Sequence, residues 1–179
     1  MMDAMMNKAL ELGFTEVGWL DTSVIRFLPE VRSMCAAGRC GGYGTSWGCP
    51  PGCGDVEACS EHVKTYPRGL VFTYAAIRED PFDFEAVEHG SKMIFELGRK
   101  LRDLVEAEGK KRVWLMLPGP CKECAKCQYP DPCVKPECAT TSPEAQGMWV
   151  SEICRQASVG YNNGKDTITF VGLIFFDED

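Results

Sequence analysis

Apolar positions along the chain recur in two rhythms, one of three to four residues and one of two, and the switches between them predict the elements. Residues 2–12 carry helical spacing closed by Gly13, and residues 16–20 (Glu-Val-Gly-Trp-Leu) read as a strand. Pro29 opens a short helix toward Cys35. Asp55 stands where an N-cap would start a helix reaching about Tyr66. The apolar, β-branched and aromatic run at residues 69–77 predicts a buried strand. The longest helical pattern covers residues 83–108. Its apolar residues Val87, Ile94, Leu97, Leu101, Leu104 and Val105 recur at three- and four-residue steps or their multiples, with Glu88, Lys92, Glu96, Arg99, Arg102, Asp103 and Glu106 on the remaining surface. Gly90 and Gly98 interrupt the pattern without ending it. Gly109 closes it, and residues 112–117 predict a third strand. A helix over 142–157, with Pro143 in its first turn, and a final strand over 167–176 after the turn Asn162-Asn163-Gly164 complete the series.

Strands alternating with helices imply an α/β fold, with α+β as the neighbouring possibility, built on about four strands covered by helices. At 179 residues, 45% of them hydrophobic, the chain suits a single domain over 1–179. Strand order is not readable from the sequence. Between the regular elements lie two cysteine-rich loops, at about 35–54 and 118–142. The first holds seven glycines and two prolines between Cys35 and Gly54, a density that defeats regular structure and lets backbone wrap closely around a ligand.

Composition sharpens the chemistry of those loops. Eleven cysteines are too many for core filling, and an odd number prevents complete disulfide pairing within the chain. The first eight residues lack the basic and apolar regions of a signal peptide, and no stretch approaches membrane-spanning length. A reducing cytoplasm is the expected compartment, where thiols serve metals or redox chemistry. A net charge of −7, without an extended Lys/Arg run, speaks against nucleic acid as a partner. The cations Arg32, Arg39, Lys122, Lys126 and Lys135 nonetheless cluster near cysteines, either as solvated loop residues or as counter-charges to thiolates.

Cys121, Cys124, Cys127 and Cys133 form a CxxCxxCx5C run flanked by Lys, Glu, Gln, Pro and Asp, neighbours that cannot surround a dry core. Three thiols at two-residue intervals with a fourth close by suit a compact iron–sulfur cluster. Zinc, held by four tetrahedral thiolates, is the alternative. Upstream, Cys35, Cys40, Cys49 and Cys53 share a loop whose glycine amides can donate to cluster sulfurs, so one or two [4Fe-4S] clusters are expected. Cys59 and Cys154 fall in helical patterns and read as small buried hydrophobes, with Cys138 intermediate. His62 and His89 sit away from the thiols on predicted helices. The rings of Tyr43 and Trp47 either shield a cluster or pack within the loop. Phosphate loops, nucleophile elbows and dinucleotide fingerprints are not found.

Taken together, Cys40-Gly-Gly-Tyr43-Gly44 through Trp47-Gly-Cys49-Pro50-Pro51, Gly119-Pro-Cys121-x-x-Cys124-x-x-Cys127-x5-Cys133 with Pro136-Glu137, and Ser142-Pro-Glu144-Ala145-x-Gly147 resemble the predicted metal-binding proteins grouped as domain of unknown function 2284. The resemblance implies an iron–sulfur or related metal protein, with Cys35, Cys40, Cys49, Cys121, Cys124, Cys127 and Cys133 as ligand candidates. Gln146 stands where many relatives have cysteine, while Cys53, Cys59 and Cys138 are additional in this chain. The expected role is one-electron transfer between redox partner proteins. The alternatives are an iron–sulfur enzyme with an open iron site for a small substrate, sulfur compounds included, and a zinc-bound structural module. No catalytic residue is assigned.

Overall fold

A computed structural model of the chain describes residues 2–177, with the side chains of Met2 and Asp3 outside the description. Four strands, β1 (Glu16–Asp21), β2 (Arg68–Ile77), β3 (Trp114–Met116) and β4 (Thr167–Phe175), form one antiparallel sheet in the order β1-β2-β4-β3. Among the described residues five α-helices accompany it: α1 (Met2–Glu11), α2 (Pro29–Ala36), α3 (Val56–Val63), α4 (Phe84–Ala107) and α5 (Val150–Gln156). The fold is mixed α/β, as the alternation of elements predicts.

Side chains that alternate along a strand separate the core into two layers. Leu70 and Phe72 of β2 and Ile174 of β4 pack with Met5, Ala9, Ile94, Leu97, Leu101 and Val105 of α1 and α4. Val71, Leu173 and Phe175 face the other way, onto Val63 of α3, Ile153 and Cys154 of α5, and Met148. Asp83 caps α4 by accepting the Ala86 N–H at 2.9 Å. The glycines inside α4 are contact points rather than weak spots: a Cβ at Gly98 would lie 2.6 Å from the Leu117 side chain, and one at Gly90 2.3 Å from Phe170. Val87, assigned to the apolar stripe from its spacing, is exposed at the open end of that helix.

Three boundaries depart from the sequence reading. The helix expected over 142–157 is confined to Val150–Gln156. Pro143 does open a turn, but Gly147 takes φ +81°, outside the helical region, and Met148 bridges to Phe27 as an isolated β pair. The strand expected over 112–117 shrinks to Trp114–Met116, because Arg112 has φ +47° and Leu117 donates its N–H to the Thr141 carbonyl at 2.9 Å. The third helix ends at Val63 instead of Tyr66, whose ring is buried against Phe175. Beyond β4, Asp177 is tied back to the residues before β3. It pairs with the Arg112 Nε at 2.9 Å, while Glu178 and Asp179 lie outside the described residues.

Candidate metal centre

Both cysteine loops are anchored to regular structure before they meet. The second leaves β3, returns at Thr141, and rests on α4, where Lys122 Nζ donates to Ser91 Oγ at 2.6 Å and Arg99 Nε to Glu123 at 2.9 Å. The first runs between α2 and α3, and the Leu28 N–H fixes the start of α2 by donating to the Gly147 carbonyl at 2.7 Å. Trp47 Nε1 reaches from the first loop to the Asp131 carbonyl of the second at 2.7 Å, and its ring lies edge-on to Tyr129 with centroids 5.0 Å apart. Thr141 Oγ1 donates to the Gly48 carbonyl at 2.7 Å. These contacts hold the loops face to face. Gly48 sits at the closest crossing, where a Cβ would lie 2.2 Å from the Thr140 carbonyl oxygen and 3.2 Å from the Cys121 Cβ.

Within this crossing the thiols form two adjoining groups. Cys121, Cys124, Cys127 and Cys133 all line one small cavity, closed by Trp47 and Gly48 from the first loop and by Glu123, Lys135 and Ala139. In the second group, Cys40 and Cys49 approach each other so closely that a Cβ on Gly42 would lie 3.6 Å from one sulfur and 2.8 Å from the other. Burial pushes the Cys49 thiol up, and the charges of Cys40, Cys121 and Cys127 add to that, so Cys49 stands at the junction of the groups. Cys35 is likewise raised by burial, then by Cys40, Glu144 and Cys49. Cys53 is raised by burial against the opposing influence of Arg32.

Two donors, one on α2 and one in the first loop, point to an anionic occupant. Among the described residues, Arg32 Nη1 is buried without a hydrogen-bond partner, and Ser46 Oγ, equally buried, has the Cys49 thiol as its neighbour. Arg32 Nη2 meanwhile bonds the Gly54 carbonyl and sits 3.5 Å from the Cys53 sulfur, and Ser46 lies where it favours the Cys49 thiolate. A thiolate-bound metal carries the negative charge that such donors would stabilise, so the residues present fit the group. No three His, Cys, Asp or Glu side chains among the described residues are grouped so as to hold a single metal ion. The second-loop thiols stand instead around the walls of a cavity.

Other sequence candidates separate from this site. Cys59 and Cys154 are core residues whose thiols burial pushes up to about 12. Cys138 is half-buried, with its sulfur 3.7 Å from the Lys135 carbonyl. His62 packs on Trp114, and His89 meets the Tyr74 hydroxyl at 3.3 Å, both away from the thiols. Tyr43 is exposed, so of the two aromatic candidates only Trp47 covers a thiol cavity. Gln146 is buried and donates to Thr141 Oγ1 at 2.9 Å, making it a post under the loop crossing. Its neighbour Ala145 offers a carbonyl to the Cys53 thiol at 3.5 Å. The sequence held no signal for Ser46, and for Arg32 only its place among five cations near cysteines, since the burial of each depends on the fold.

A sheet covered on both faces, with two cysteine loops folded against each other, defines an α/β protein with a thiol-lined site of the kind that takes metal. The family model described as "Predicted metal-binding protein (DUF2284)" matches residues 18–176, and the chain belongs to that family. Neither the curated proteins nor the solved structures yield a match. Among the described residues no helix is long and apolar enough to cross a membrane.

Proposed function

We propose that the chain is a cytoplasmic iron–sulfur protein that passes single electrons between redox partner proteins. The observation that carries this reading is the loop crossing, where the sulfurs of Cys40 and Cys49 and the ring of Pro120 surround Gly42, and Gly48 packs on Cys121, a wall of the second-loop cavity. Two thiol groups this close would form one path for charge. In this reading Cys121, Cys124, Cys127 and Cys133 hold one cluster, and Cys35, Cys40 and Cys49 hold a second. Cys53 supplies its fourth thiol, taking over from the position filled by Gln146. Bound clusters of this kind supply reversible one-electron acceptance. The chain's own part is to counter their charge with Arg32 and to exclude water from the second-loop cavity with Trp47.

The test is metal and acid-labile sulfide analysis after strictly anaerobic purification, with electron paramagnetic resonance of the reduced protein. Iron and sulfide in near-equal amounts are expected. Cys124→Ser and Cys127→Ser should each lose one paramagnetic signal. Stoichiometric zinc without sulfide would replace this reading with a structural metal site, and full iron content with unchanged spectra in both variants would remove the second-loop assignment.

A further inference from the structure

Beyond the thiols, a polar hollow lies at the edge of β4. β3 pairs only with residues 173–175, so the preceding stretch of β4, residues 167–172, has β2 on one side and, among the described residues, no strand on the other. A cavity of about 350 Å³ opens there, lined by Thr167, Thr169 and Val171, by Val150 of α5, and by Glu144, Arg78 and Lys165. That volume is at the lower end of the range of small-molecule sites, roughly 300–1,000 Å³.

The lining carries both charge signs on an apolar base. Arg78 donates from Nε and Nη2 to the Lys165 carbonyl, at 3.3 and 3.0 Å, which holds the guanidinium beside the exposed Lys165. Glu144 is half-buried, and among the described residues it forms no ion pair. Burial pushes its carboxyl up, opposed by its backbone and the Ser142 hydroxyl. Its neighbour Ala145 accepts from the Cys53 thiol at 3.5 Å, so Glu144 lies between the cavity and the first cysteine loop. Val150 and Val171 offer a short hydrocarbon surface.

We propose that this cavity binds a small organic acid bearing a second, hydrogen-donating group, with its carboxylate on Arg78 and Lys165 and its donor on Glu144. A guanidinium and an ammonium together select a carboxylate. Glu144 selects an amino, hydroxyl or thiol group, because its carboxyl gains from such a group a hydrogen bond that a ligand lacking the donor cannot supply. Binding here goes beyond electron transfer and does not depend on what the thiols hold.

The full chain, purified anaerobically, is titrated by calorimetry and amide chemical shift with glycine, glycolate and mercaptoacetate, and with propionate as the acid that lacks the donor. At least one of the first three is expected to saturate, about tenfold or more tighter than propionate, the factor that one satisfied polar contact supplies. Lys165→Ala, at an exposed loop position, should weaken it by about tenfold. Glu144→Gln should bring the ratio to propionate close to one. Metal content and thermal midpoint, measured alongside, show that each variant is folded and loaded. The proposal is overturned if none of the three acids saturates at tens of millimolar. It is equally overturned if propionate binds as tightly, or if folded Lys165→Ala and Glu144→Gln bind like the parent chain.

Discussion

Gly48 shows how narrowly the loop crossing is specified at the scale of single residues. Its missing Cβ is what lets the first loop pass the Thr140 carbonyl, and no flexible side-chain end is available to yield. Gly48→Ala is therefore expected to destabilise the fold by about 1–3 kcal/mol, the usual cost of overpacking, and to lower metal content. Urea midpoints and metal analysis check this, and a variant with parental stability and loading would show that the loops cross with more freedom than the geometry allows. Thr141 works at the same point, accepting from Gln146 and donating to Gly48. The glycine density of the first loop was legible in the sequence as close wrapping, yet which glycine faces which carbonyl was not, because that contact joins residues 92 positions apart. Arg32 was legible only as one cation among five near cysteines. Its orphaned Nη1 singles it out once the loop is folded.

Among the elements, α4 was the most legible, since 24 residues of helical periodicity outweigh two interior glycines. Its N-cap is Asp83, which accepts the Ala86 N–H, and Asp83→Ala should cost about 1 kcal/mol, read as a lowered urea midpoint with unchanged slope. Leu101, fully buried in the layer between α4 and the sheet, should cost about 2–5 kcal/mol on truncation to Ala by the same measurement. If the cap variant proved as costly as the core variant, the end of α4 would be bearing load that its exposed position does not suggest. The expected helix over 142–157 failed for a local reason with a distant cause. Proline at the first turn followed by apolar spacing is a sound helical signal, but the Gly147 carbonyl is held by the Leu28 N–H and Met148 pairs with Phe27, which draws this segment into an extended course. Arg112 likewise leaves the third strand early, with its guanidinium committed to Asp177 and to Thr65.

Over the whole molecule, Glu144 links the cavity, the first loop and the stability of the fold. Burial lifts its carboxyl above the usual carboxylate value in the folded chain. In the window between the two values the folded state keeps a proton that the unfolded state has released, so this group makes stability fall as pH rises through it. Glu144→Gln should flatten that part of the profile, checked by urea midpoints from about pH 4 to 8. Parallel profiles for variant and parent would mean that the carboxyl titrates in the ordinary range. By itself the sequence determined the alternation of elements, the caps, the two cysteine loops and the family pattern, because periodicity, turn chemistry and short ligand spacing are local properties. Only the tertiary structure decided the strand order β1-β2-β4-β3, the crossing of Gly48 against Thr140 and Cys121, and the placing of Glu144 between a cavity and the contact of Ala145 with Cys53. Each of these joins segments far apart in the chain, and their approach is set by how the two faces of the sheet bury their apolar side chains, a constraint that no local pattern encodes.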